Sequence, residues 1–147
     1  MEFWHNGILT ADIDKTIDFM CAASGAARDK WIIMDAVEFP QSNMVCGDGG
    51  KLRVAAACVG GAVVELIQPL DDCSYHAKSL KARGPGFHHS AHICEDGMDE
   101  LVAALVAAGG RIVWDFKNGD EHACYVEAPD GSAILEIINC CPFMPEE

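Results

Sequence analysis

The sequence predicts an α+β fold of two βαβββ modules in tandem, and three observations predict it. Each half opens on a strand-like run carrying histidine: Trp4-His5-Asn6-Gly7-Ile8-Leu9 in the first and His89-Ser90-Ala91-His92-Ile93-Cys94 in the second. Each half closes on a strand-like run carrying glutamate: Val63-Val64-Glu65-Leu66-Ile67 and Ile134-Leu135-Glu136-Ile137-Ile138. Between these runs, both halves carry a helix-period stretch and then further short apolar runs. Neither half covers its own sheet, so pairing the two is what buries both.

In the first half, Thr10-Ala11-Asp12-Ile13-Asp14 supplies a helix start, and Ile13, Ile17, Phe19, Met20 and Cys21 supply an apolar stripe that ends at Gly25. A loosely structured stretch follows from about Asp29 to Gly50, with Trp31-Ile32-Ile33-Met34 as a short strand. Leu52 to Val59 and Ala62 to Ile67 then read as a hairpin turning on Gly60-Gly61. Pro69 to Asp72 breaks the pattern, and a linker helix around Tyr75 to Ala82 leads through Gly84-Pro85-Gly86 into the second half.

That half repeats the order with less padding. Asp96 to Ala108 is a helix burying Met98, Leu101, Val102, Leu105 and Val106, and Gly109-Gly110 ends it. Strands follow at Arg111 to Trp114, His122 to Glu127 and Ser132 to Ile138, the last two joined by Pro129-Asp130-Gly131. The first module takes about residues 1–70, the linker helix lies within about 71–86, and the second module takes about 87–141, all within one domain of 147 residues.

Composition excludes several function classes. A formal charge of −13 provides no basic field for nucleic acid or an anionic membrane surface. It also disfavours a highly anionic substrate unless the ten Lys and Arg gather at one mouth. No run of 18 or more apolar residues exists to span a membrane. Met1 runs almost directly into an apolar strand with no leader pattern, so the eight cysteines read as reduced thiols in a cytoplasmic protein. Six are scattered singly and Cys140-Cys141 are adjacent, which suits core filling better than chelation.

Strand alternation decides which side chains meet. With period two, His89 shares a face with Ala91 and Ile93, while His88, Ser90 and His92 point the other way, toward the helices. Glu65 falls between Val63 and Ile67 on one face, and Glu136 between Ile134 and Ile138. A carboxylate inside such a strand is costly unless it binds a cation or a donor network. Two neutral imidazoles and two carboxylates form a mixed N/O set of net charge −2, suited to Zn, Co, Ni, Mn or Fe with positions left open. The other reading of each residue is a hydrogen-bonded strand histidine or an edge glutamate reaching solvent, and it weakens when four fall in register. Tyr125 and Glu127 share a face of the penultimate strand and are candidates to contact substrate.

The order of elements, together with Asp12-Ile13-Asp14-Lys15-Thr16-Ile17, Val64-Glu65-Leu66-Ile67-Gln68-Pro69-Leu70, Gly84-Pro85-Gly86-Phe87-His88-His89 and Pro129-Asp130-Gly131…Leu135-Glu136-Ile137, resembles the vicinal oxygen chelate superfamily over almost the whole chain. The branch it most resembles is methylmalonyl-CoA epimerase, which includes dihydrodaidzein racemase-like proteins; glyoxalase I is more distant. The resemblance implies one cupped, mostly antiparallel sheet with helices outside. It maps the metal ligands to His5, Glu65, His89 and Glu136, and alternation had separately chosen His89 over His88.

The resemblance implies a racemase or epimerase that moves a proton at a carbon next to a carbonyl through a stabilised enolate. Glu65 and Glu136 are then the acid and base groups, acting from a divalent metal site or, with the metal dispensable, from hydrogen bonds alone. The substrate is a small-molecule carbonyl compound, either a methylmalonyl-CoA-like thioester or an isoflavanone such as dihydrodaidzein. Two departures bear on it: the first helix has Phe19-Met20-Cys21 where relatives often carry an aromatic pair, and few basic residues are available to clamp phosphates. The alternatives within the fold are a glyoxalase I-like lyase and a non-catalytic binding protein. The apolar tail Ile137 to Met144 reads as exposed and able to cover a partner, and a homodimer is expected.

Overall fold

The computed structural model describes residues 1–141 and residue 145. Among these residues nine strands form one mixed sheet, β1 (Glu2–Leu9), β2 (Ile32–Phe39), β3 (Met44–Cys46), β4 (Gly50–Val59), β5 (Ala62–Pro69), β6 (Gly86–Ile93), β7 (Arg111–Asn118), β8 (Glu121–Glu127) and β9 (Ile134–Ile138). Their order is β2-β4-β5-β1-β6-β9-β8-β7-β3, curled into a half-barrel. Each histidine strand pairs in parallel with the glutamate strand of its own module, β1 with β5 and β6 with β9. β1 and β6 meet antiparallel at the centre.

Among the described residues three α-helices lie outside, α1 (Ile13–Ser24), α2 (Tyr75–Arg83) and α3 (Met98–Ala107). α1 starts where the Asp12 side chain accepts from the Lys15 N–H and stops where Gly25 turns left-handed at φ 72°. Its Ile13 and Ile17 pack with Trp31, Ala55, Ala57 and Leu66 on the convex face of the first module. On the second module Met98, supported by Leu101, Val102 and Leu105 of α3, packs with Cys94, Cys124, Val126 and Ile137. Phe19 and Val106, expected in these buried stripes, are exposed, because each apolar stripe is only as wide as the sheet surface it meets.

Alternation sends the other residues of the same strands to the concave face. There Leu9, Leu52, Val54 and Ile67 from one module face Trp4, Ala91, Trp114, Phe116, Ala123, Tyr125, Ile134 and Ile138 from the centre and the other module. The cysteines are thiols rather than disulfides among the described residues; Cys94 and Cys124 are buried, while Cys73 and Cys141 are exposed. No helix among the described residues is long and apolar enough to cross a membrane.

Two expectations are corrected. The stretch read as loose carries β2 over its full eight residues, followed by β3, which leaves its own module to pair with β7 at the far edge. Phe39, just before that crossing, packs edge-on against Trp114 and Phe116, so the excursion ties the two rims of the half-barrel together. Ile137 and Ile138, expected in an exposed tail, are buried in β9; residues 142–144 of that tail lie outside the described residues.

Candidate metal centre

The register of the four central strands builds the site. Glu65, Gly7 and His89 lie side by side across β5, β1 and β6, and His5, Ala91 and Glu136 lie side by side across β1, β6 and β9. Gly7 and Ala91 are the middle members of these two rows. Each row therefore contributes one imidazole and one carboxylate flanking a residue small enough to leave the space between them open. The rows are two residues apart along the strands, so all four side chains emerge on the concave face.

They converge on one point. His5 Nε2 lies 3.1 Å from a Glu65 oxygen and 3.5 Å from Glu136 Oε2, while His89 Nε2 lies 3.1 Å from Glu136 Oε2 and 3.8 Å from the same Glu65 oxygen. The two Nε2 atoms are 3.3 Å apart, and all four potential ligand atoms fall within 4.8 Å of one another. Four donors about 2.1 Å from a common ion are separated by about 3.0–3.4 Å in octahedral-cis or tetrahedral geometry, so the spacing fits a divalent metal. Glu136 Oε2, though buried at ion-pair distance from both imidazoles, has no hydrogen-bond partner. That leaves its lone pairs available to a shared cation.

The electrostatics are those of a buried charge cluster. Burial alone pulls the His5 imidazole down, but the Glu65 carboxylate, with Glu136 behind it, outweighs burial and holds it above its ordinary range. Burial alone would raise Glu136, and the His89 and His5 imidazoles bring it below the usual carboxylate range instead.

Period-two alternation fails at two points beside the ligands. A bulge at Trp4 lets both Trp4 and His5 face inward, and a bulge at His88 does the same for His88 and His89. His88 is therefore not turned to the outer helices. It is buried, with its Nδ1 2.9 Å from His89 Nδ1 and its Nε2 3.4 Å from the Tyr75 hydroxyl. His92, where no bulge intervenes, lies on the other face beside Phe3, as alternation expects.

The ligand cluster opens into a cavity of about 220 Å³ lined by Trp4, Phe39, Trp114, Phe116 and Tyr125, with Glu65, Glu136 and His76 among its polar groups. Neither Lys nor Arg is among its described lining residues, and Glu38 and Glu121 add negative charge to it. Tyr125 lies tilted against the His89 ring with centroids 4.8 Å apart, and its hydroxyl meets His76 Nε2 at 3.1 Å. Deep burial keeps the Tyr125 hydroxyl protonated well above its usual range and takes the His76 imidazole down to about 3. His76 comes from α2, where polar linker composition gave no sign that it would enter the cavity. Glu127 lies elsewhere: its carboxylate is held by Arg83 and Arg111, and it borders a shallow cleft with Leu105, Gly110 and Pro129.

The sequence model of the Glyoxalase/Bleomycin resistance protein/Dioxygenase superfamily matches residues 4–126. No functionally curated protein matches the chain. Among solved structures, methylmalonyl-CoA epimerase from Mycobacterium tuberculosis is similar at a TM-score of 0.65 and 24% identity, over 96% of this chain and 89% of that one. A hypothetical protein from Bacillus halodurans is similar at 0.65 and 17%, over 99% and 98%. Methylmalonyl-CoA epimerase from Streptomyces coelicolor, in complex with 2-nitronate-propionyl-CoA, is similar at 0.61 and 20%, over 94% and 93%.

Proposed function

Since the chain belongs to the glyoxalase/bleomycin resistance protein/dioxygenase superfamily, we propose that it is a racemase or epimerase acting at a carbon next to a carbonyl. The observation that carries this reading is a two-His, two-Glu cluster whose carboxylates also line a largely apolar cavity. His5, Glu65, His89 and Glu136 would hold a divalent metal. When bound, it supplies Lewis-acid stabilisation of negative charge on the substrate oxygen.

The protein's own groups account for the remaining steps. The carboxylate of Glu65 or Glu136 takes the α-proton, and the C–H electron pair moves into the carbonyl to give an enolate. The other glutamate, after taking up a proton from solvent, returns it to the opposite face, and exchange with solvent resets both groups. The two glutamates come from opposite modules, Glu65 from β5 and Glu136 from β9. The Tyr125 hydroxyl, kept protonated by burial, is a donor for the substrate, and the aromatic walls exclude water from the intermediate.

The composition of the cavity favours an uncharged aryl ketone of the isoflavanone class over a methylmalonyl-CoA-like thioester. Aromatic walls suit a flat ring system, and lining carboxylates without a cation give the phosphates of a CoA arm no partner. Deuterium wash-in from heavy water tests both levels of the reading, with a panel of chiral isoflavanones and α-methyl thioesters as substrates. Exchange at the α-carbon that is lost in Glu65→Gln and Glu136→Gln is the expected result. No exchange on any member of the panel would reduce the protein to a binding module.

A further inference from the structure

We propose that His88 is a positioning residue that fixes the tautomer of His89 and thereby presents its Nε2 lone pair to the metal site, with Tyr75 completing the chain. The inference rests on the metal-site reading, and its geometry stands on its own. Nδ1 of His88 and Nδ1 of His89 are 2.9 Å apart in a buried setting, so one of them carries the shared proton and the other accepts it. The opposite nitrogen of His89, Nε2, points at Glu65, Glu136 and His5. A lone pair at Nε2 requires the proton at Nδ1, which then donates to His88. That assignment leaves His88 protonated at Nε2, where the Tyr75 hydroxyl accepts at 3.4 Å.

Each link is consistent with the next; the opposite assignment would satisfy the same hydrogen bonds, with His89 Nε2–H donating to Glu136 at 3.1 Å, but leaves no lone pair at Nε2 for a metal. If His88 donated from Nδ1, His89 would carry its proton at Nε2, pushing an N–H into the point where four ligand atoms converge. The bulge at His88 is what brings two successive side chains to one face, so the contact is built into the backbone. The other module lacks it. The residue bulged inward before His5 is Trp4, and Nδ1 of His5 has no hydrogen-bond partner. The cluster is thus held from one side by a polar chain and from the other by an aromatic wall.

The experiment measures Co²⁺ affinity of the chelator-stripped protein by competition with a chromogenic chelator, alongside the visible spectrum of the Co²⁺ form. His88→Phe fills the space but removes the acceptor, and is expected to weaken Co²⁺ binding by roughly 10- to 100-fold. His88→Asn puts an amide oxygen where Nδ1 sits, and is expected to recover most of the loss and the parent spectrum. Tyr75→Phe removes the end of the chain and is expected to cost a few-fold. Affinity in His88→Phe within about twofold of the parent would overturn the proposal, as would an Asn variant as weak as the Phe variant. Failure of the parent to bind Co²⁺ would overturn both this and the metal-site reading, whereas tight binding without proton exchange would remove only the proposed reaction.

Discussion

The imidazole of His89 lies over the backbone of Gly7 on the neighbouring strand, so closely that a Cβ on Gly7 would sit 2.1 Å from its Cε1 and 2.4 Å from its Nε2. Gly7 is thus the floor of the candidate metal centre, and no other residue type fits beneath the ring. Gly7→Ala is expected to push the His89 side chain out of the cluster. Co²⁺ affinity should fall by about 100-fold or more, and overpacking should cost about 1–3 kcal/mol, visible as a lower melting temperature. Wild-type affinity in this variant would mean the ring has another seat, and the described geometry would be wrong.

Metal removal provides the next prediction. A cation that binds the folded chain alone stabilises it by about 4 kcal/mol when present at a thousand times its dissociation constant. For a chain of this size, that corresponds to a melting temperature roughly 10 °C lower after chelation. Thermal melts with and without chelator, followed by restoration with Zn²⁺ or Co²⁺, check it. An unchanged melt would count against a tight site. Exchange activity that survived chelation would assign the chemistry to hydrogen bonds and carboxylates alone.

Much of the centre was legible because its logic is periodic. Glu65 and Glu136 stand out as charges inside apolar strands, and period two puts each on the face opposite Leu66 or Ile137. The rows containing Gly7 and Ala91 then follow from strand pairing. What could not be read was whatever broke the period or came from far away. A bulge adds one residue without a composition signal, so His88 was assigned to the wrong face. His76 reaches the cavity only because α2 docks against the cup. β3 is three residues long and pairs with a strand some seventy positions later, which no local pattern encodes.

The charge on the cavity lining should also be measurable as selectivity. Glu38 and Glu121 put negative charge on the cavity lining, and no cation among the described lining residues answers it. Glu121→Lys is expected to raise turnover of a CoA thioester relative to a neutral aryl ketone several-fold at low salt. That gain should fade as added salt shortens the screening length from about 30 Å toward about 3 Å. Proton-exchange rates for the two substrates across a salt series check this. A ratio that does not move would mean that a CoA arm, if bound, follows another route.

Away from the site, Asp71 pins the start of α2, and with it His76, to the sheet. One carboxylate oxygen accepts from the N–H groups of Cys73 and Ser74, at 3.0 and 2.7 Å, and the other accepts from Lys51 at 2.7 Å. Partial burial alone would raise its pKa, but these donors outweigh burial and take it down to about 2. An unfolded Asp titrates near about 3.9, so above that pH both states are ionised and the full contribution to stability is present. Between about pH 4 and about pH 2 the unfolded chain takes up a proton that the folded one refuses, and the contribution is lost. Asp71→Asn is therefore expected to cost on the order of 1–2 kcal/mol at neutral pH, with a gap from the parent that closes on acidification through that window. Urea unfolding of both proteins as a function of pH measures the gap. A constant difference down to pH about 2 would show that the carboxylate's charge is not what holds the turn.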